Sequence, residues 1–168
     1  VSKRLFEDSK LSALQKKKVL SLLAEVSVES VRIGMLDGSD AVSRLELITD
    51  LLQEHYLGDD NYFIAKLELA KFTCDKLHQP ERAVKQLNFL VRNPGLKGKG
   101  MSLCKVELGR CLIAVGDTVN ARAELANICN HSNDSKAVGM AHFILAKLDL
   151  SQGQWKQAQD RLSAVAML

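Results

Sequence analysis

Four alanines set the period of this chain. Ala41, Ala83, Ala121 and Ala158 are each followed by a leucine four residues on (Leu45, Leu87, Leu125, Leu162) and by another aliphatic residue seven on (Ile48, Leu90, Ile128, Val165), at intervals of 42, 38 and 37 residues. Spacings of four and seven put all three side chains of a unit on one helix face. Recurrence of that face at a near-constant period predicts an array of helical hairpins, each burying its apolar side against its neighbours. Arrays of this kind present a surface to a partner more often than a catalytic pocket.

Composition is consistent with that frame and narrows the classes. A chain of 168 residues can bury roughly two-thirds of its unfolded surface, so neither a disulfide nor a metal is needed to hold a core. Hydrophobic residues make up 46% and charged residues 26%, with only two prolines and ten glycines, which excludes disorder and leaves long stretches free to be helical. The net charge of +3, from 23 basic and 20 acidic residues, is too mild to imply nucleic acid or an anionic membrane surface. No apolar run is long enough to span a bilayer. Cys74, Cys104, Cys111 and Cys129 all fall in helical patterns, which reads as reduced thiols in a cytoplasmic or nuclear protein. The start at Val1 reads as a segment of a larger protein.

Eight helices follow from the apolar periodicity and its punctuation. The first begins after Asp8-Ser9 and ends near Asp37-Gly38; the second, capped by Ser39 or Asp40, runs from about Ala41 to Tyr56 with Gly58 beyond it. Asp59-Asp60 caps the third, about Asn61 to Leu77, and Pro80 opens the fourth, which Asn93-Pro94 closes. After the loop Gly95 to Gly100 the fifth helix runs to Val115, Gly116-Asp117 turns the chain, and the sixth spans about Thr118 to Asn130. His131 to Ser135 links it to the seventh, Gly153 breaks that helix, and Trp155 to Met167 forms the eighth. Paired, they give hairpins at about 9–57, 59–93, 100–130 and 135–167 of one 1–168 domain.

Overlaid at 37 residues, Leu108-Gly109 matches Leu145-Ala146, Gly116 matches Gly153, and Ala121, Leu125 and Ile128 match Ala158, Leu162 and Val165. A small residue allows close approach of two helices, and a glycine turns the chain between them. The string Leu108-Gly109-x2-Leu112-x3-Gly116-x4-Ala121-x3-Leu125-x2-Ile128, with Trp155 two residues after the last turn glycine, resembles the tetratricopeptide repeat (TPR). The resemblance extends from about 101 to 166 and, more loosely, from 62 to 94; the period exceeds the family's usual 34 and leucines replace most of its aromatics. It implies an all-α fold, a right-handed α-α superhelix (TPR-like α-solenoid) of about four hairpins.

The resemblance also implies a concave groove lined by first-helix side chains. Position by position it would receive Glu68, Phe72 and Asp75, then Val106, Arg110 and Ile113, then Phe143, Lys147 and Leu150. This gives an apolar floor with two cations toward one end and two carboxylates toward the other, suited to a helix or extended peptide of a partner protein. The Lys/Asn/Arg clamp by which some members grip carboxylate tails is absent, so that ligand class is disfavoured.

Catalytic chemistry finds little support, and the chain is expected not to be an enzyme and to need no cofactor. Cys74 with His78 and Cys129 with His131 do not have the spacing of a close-packed zinc set, and buried structural thiols are the expected reading. Gly95 to Gly100 with Lys97 and Lys99 lacks the Walker spacing and a preceding strand, and Lys16-Lys17-Lys18 reads as a solvated helix face. His55 and His142 read as surface or partly packed histidines. The expected function is a noncatalytic protein-interaction scaffold. A regulatory or sensor segment of an enzyme or transcription regulator is the alternative, and an RNA-binding repeat module a weaker one, because only Arg110 and Lys147 recur as cations. Leu162, Val165, Met167 and Leu168 form an apolar end, over which another helix is expected to continue the stack in the intact protein, with end-to-end meeting of two copies as the alternative for this segment alone.

Overall fold

The structure, a computed structural model, describes residues 10–35, 38–55, 60–93 and 95–168. Asp8, Ser9, Asp37, Tyr56, Gly58, Asp59 and Pro94, read above as boundaries or caps, lie outside the described residues, as do the side chains of Ser39, Ala41, His55, Asp60 and Lys99. Among the described residues there are helices and no strands: α1 (Ala13–Arg32), α2 (Gly38–His55), α3 (Asp60–Asp75), α4 (Pro80–Val91), α5 (Gly98–Val115), α6 (Thr118–His131), α7 (Ser135–Ser151) and α8 (Trp155–Ala166).

Local chemistry sets the ends of these helices. Ser12 and Gln15 form a reciprocal capping box before α1: the Gln15 side chain accepts from the Ser12 N–H at 2.9 Å, and Ser12 Oγ accepts from the Gln15 N–H at 3.3 Å. Asp117 and Asp134 accept hydrogen bonds from the Asn120 and Lys136 N–H groups at the starts of α6 and α7. Between helices the chain turns through left-handed backbone at Gly116 (φ 91°) and Gly153 (φ 73°), after which Asp117 and Gln154 donate back to the carbonyls of Leu112 and Asp149, each at 2.9 Å. The earlier copy makes its turn without glycine, since His78 itself adopts φ 53°. α5 begins at Gly98, inside the glycine-rich stretch, and Leu96 is buried, so the loop there is shorter than the sequence suggests.

The chain divides into two compact units, 1–79 and 80–168, with the boundary inside the expected 59–93 hairpin. In the first unit α1, α2 and α3 pack on one another. Their core holds Leu20, Ala24 and Val28 of α1, Leu45, Ile48 and Leu52 of α2, and Tyr62, Ala65 and Leu69 of α3. Tyr62 meets Phe63 edge to face, with ring centroids 5.2 Å apart, and its hydroxyl lies 3.3 Å from Gln53 Oε1. In the second unit each helix packs on the next, and α7 also reaches α5. Ala83, Ala121 and Ala158 are at most 1% exposed, as close helix crossings require.

Candidate functional site

The nine expected groove residues fall in both units and are described within each. In the first, Glu68 and Phe72 of α3 are both buried, while Asp75 is exposed. The carboxylate expected to face a ligand at Glu68 instead accepts a hydrogen bond from Lys71 Nζ at 3.0 Å, one helical turn on. Phe72 packs as a core residue.

The second unit brings four of its six expected residues together. Arg110 and Ile113 of α5 and Phe143 and Lys147 of α7 line a groove of about 480 Å³, along with Met140, Ile144, Leu148 and Ser151 of α7. Its lining is mostly apolar, Phe143 is half-exposed, and Arg110, Lys147 and Ser151 are its polar residues. Leu150 lies outside this lining and is partly exposed. Val106 departs from the expectation altogether. It is fully buried in a cluster with Leu125, Ile128, Ala137, Val138, Ala141 and Leu145, because α7 packs over the side of α5 that carries it.

The four α7 residues absent from the expected set follow one helix stripe, at positions 140, 144, 148 and 151. That stripe is visible in the sequence as Met, Ile, Leu and Ser at spacings of four, four and three. It reads as ordinary core until the partner helix is known to cover only part of it.

The two cations differ in state. Arg110 Nε donates to Glu107 Oε2 at 2.7 Å, and the Glu107 side chain is only 7% exposed, so much of the guanidinium charge is met within the groove wall. Lys147 is exposed, with Nζ 5.9 Å from the centroid of the Phe143 ring. Behind the groove, Asp149 of α7 is 1% exposed and accepts from Arg122 Nη1 of α6 at 2.6 Å and from Arg161 Nε of α8 at 2.7 Å, tying three helices together. Nearby, His142 has a buried Nδ1 with no hydrogen-bond partner. Burial and then the charge of Arg161 hold its pKa below the ordinary value. Burial likewise raises the pKa of the Cys129 thiol, with Arg161 partly opposing the shift. Among the described residues no three His, Cys, Asp or Glu side chains come together as a metal site, and no helix is long and apolar enough to cross a membrane.

Solved structures place this architecture. The nearly identical TPR-like repeats of a Podosopora anserina protein assigned as a kinesin light chain, and a single-substitution variant of the same repeats, each superpose with a TM-score of 0.66 over 87% of this chain and 72% of theirs, at 19% identity. The fold is a TPR-like α-solenoid. BtubC (BKLC) from P. vanneervenii superposes with a TM-score of 0.68 over 96% of this chain and 66% of its own, at 18% identity. No protein-family model and no curated protein sequence matches the chain.

Proposed function

We propose that the chain is a protein-interaction scaffold whose α5/α7 groove receives an apolar anchor of a partner's helix or extended segment, with an acidic residue beside it. The groove carries this reading. An aliphatic floor of Ile113, Met140, Ile144 and Leu148 favours burying one large apolar side chain, and Lys147 favours a carboxylate next to it. The TPR-like fold supports it as an analogy of architecture.

Lys147 is the residue to reverse. Arg110→Glu would set a second carboxylate against the nearly buried Glu107 and disturb folding, whereas Lys147 is exposed and replaceable. Peptides selected from a displayed library against the wild-type protein should carry an apolar residue flanked by Asp or Glu, and Lys147→Glu should weaken them at least about tenfold, or about 1.4 kcal/mol. Helicity should not change. Selected peptides that bind Lys147→Glu as tightly as wild type would remove the groove as the partner site.

A further inference from the structure

We infer that the exposed side of α4 is a second protein-interaction site, apart from the α5/α7 groove, and that it receives an acidic segment of a partner protein with an apolar residue at its centre. Charge is distributed unevenly along this chain. From Arg82 to Val106 there are six basic residues and no acidic one, whereas the rest of the chain carries 17 basic and 20 acidic residues. Arg82, Lys85, Phe89 and Arg92 follow one another at spacings of three, four and three, which puts them in a row on one face of α4. Arg92 stands just past the end of α4, and its N–H still donates to the Asn88 carbonyl at 3.2 Å, so it keeps the helical phase. All four side chains are exposed, on the side turned away from the buried Ala83, Leu87 and Leu90, and Phe89 is 51% exposed between Lys85 and Arg92. Among the described residues neither Lys85 nor Arg92 pairs with a carboxylate.

A charged helix face is most often only solvated. This row differs in what it carries and in why it is open. At the same repeat positions α6 has Asn120, Ala123, Asn127 and Asn130, and α8 has Gln157, Asp160, Ala164 and Met167, so the cations and the ring belong to α4 and not to the repeat. The four α6 residues are exposed even though α6 packs on both α5 and α7. Stacking further hairpins therefore leaves this side of a second helix uncovered, and the opening does not come from where the chain begins or ends. Lys85 and Arg92 lie one turn to either side of Phe89, so the matching segment sets Asp or Glu on both sides of a residue that packs on the ring. A nucleic-acid strand is the poorer match. Its charge would continue past a row only about 15 Å long, toward a remainder of the chain that is net negative, and a single ring stacks a single base.

The probe is a fluorescein-labelled peptide, Asp-Glu-Asp-Leu-Glu-Asp-Glu, titrated against the 168-residue protein and followed by fluorescence anisotropy. The titration is made in a Lys147→Glu background, where the α5/α7 groove no longer attracts a carboxylate, so failure here and failure of the groove reading are separable. Binding should saturate and weaken as salt rises from about 50 to 200 mM. Adding Lys85→Glu/Arg92→Glu should weaken it at least about tenfold, and adding Phe89→Ser at least about threefold. Lys85→Gln/Arg92→Gln replaces the double reversal should the glutamates cost helicity. Lys136→Glu/Lys156→Glu, an equal change of net charge at exposed positions of α7 and α8, should leave binding unchanged. Absence of saturable binding at millimolar peptide, an equal loss in the Lys136→Glu/Lys156→Glu control, or full affinity in Phe89→Ser would each overturn the inference. An oligothymidine of equal charge that binds more tightly than the peptide, and loses affinity in the same α4 variants, would overturn it too and assign the row to nucleic acid.

Discussion

Gly109 offers the sharpest test of how the hairpins close. A Cβ added there would lie 2.6 Å from Leu125 Cγ, 2.8 Å from Cδ2 and 3.1 Å from Cδ1. The nearest atom is the branch carbon, so turning the two methyl groups does not clear the contact; α5 or α6 has to move. Leu125 is 0% exposed among Val106, Ile128 and the α7 residues, so it has no room to yield. Two effects of Gly109→Ala therefore oppose one another. Alanine gains about 1 kcal/mol of helix preference in the middle of α5, while overpacking costs about 1–3 kcal/mol. With backbone displacement required, the upper part of that range applies and the net loss is about 2 kcal/mol, a fall in melting temperature of roughly 4–8 °C for a chain of this size. Far-UV circular dichroism under heat or urea measures the loss, and hydrogen exchange of the α5 and α6 amides localises it. In a Leu125→Ala background the clash is absent, and the same Gly109→Ala change should stabilise by up to about 1 kcal/mol. A neutral or stabilising Gly109→Ala in the wild-type background, or an equal loss in both backgrounds, would refute the packing argument.

Two further outcomes follow from the buried polar groups of the second unit. Removing both cations with Arg122→Ala/Arg161→Ala strands Asp149 at 1% exposure and should cost about 3–5 kcal/mol. Asp149→Leu, which installs the residue found 37 positions earlier at Leu112, should cost less than half as much because both guanidinium groups are about 30% exposed and can turn to water; equal losses in urea melts would count against this. His142, with a lowered folded-state pKa, takes up a proton more readily when unfolded. Stability should therefore hold above the unfolded value of about 6.5 and decline as pH falls from there toward the folded-state pKa. His142→Asn should flatten the urea-midpoint profile between about pH 7.5 and 5.5 relative to wild type; parallel profiles would dismiss His142 as the cause.

Features fixed by local chemistry were legible in the sequence. Pro80 opens a helix where its missing N–H costs nothing, Gly116 and Gly153 turn the chain, and Ala83, Ala121 and Ala158 sit at crossings. The turn at His78 was not legible, because a non-glycine residue adopts its left-handed backbone, closed by the Gln79 N–H donating to the Thr73 carbonyl, and no glycine announces it. Burial of groove residues was not legible either. Val106 and Phe143 hold one repeat position, yet one is sealed beneath α7 and the other is half-exposed, a difference set by what packs on the hairpin and not by the hairpin itself.

The two cations carry this distinction into the candidate site. Arg110 and Lys147 share a repeat position, and on position alone they form a matched pair. Three residues before each, however, the chain has Glu107 in one hairpin and Ile144 in the other. Three residues back is the preceding turn of the same helix face, so Arg110 folds onto a carboxylate that is itself nearly buried, while Lys147 has an aliphatic neighbour below it and the Phe143 ring beside it. The positive field at the groove mouth therefore belongs chiefly to Lys147, and under the proposed function a partner's carboxylate would be drawn toward α7. The repeat phase decides where a cation stands; the residue one turn earlier decides whether its charge is still available to a ligand.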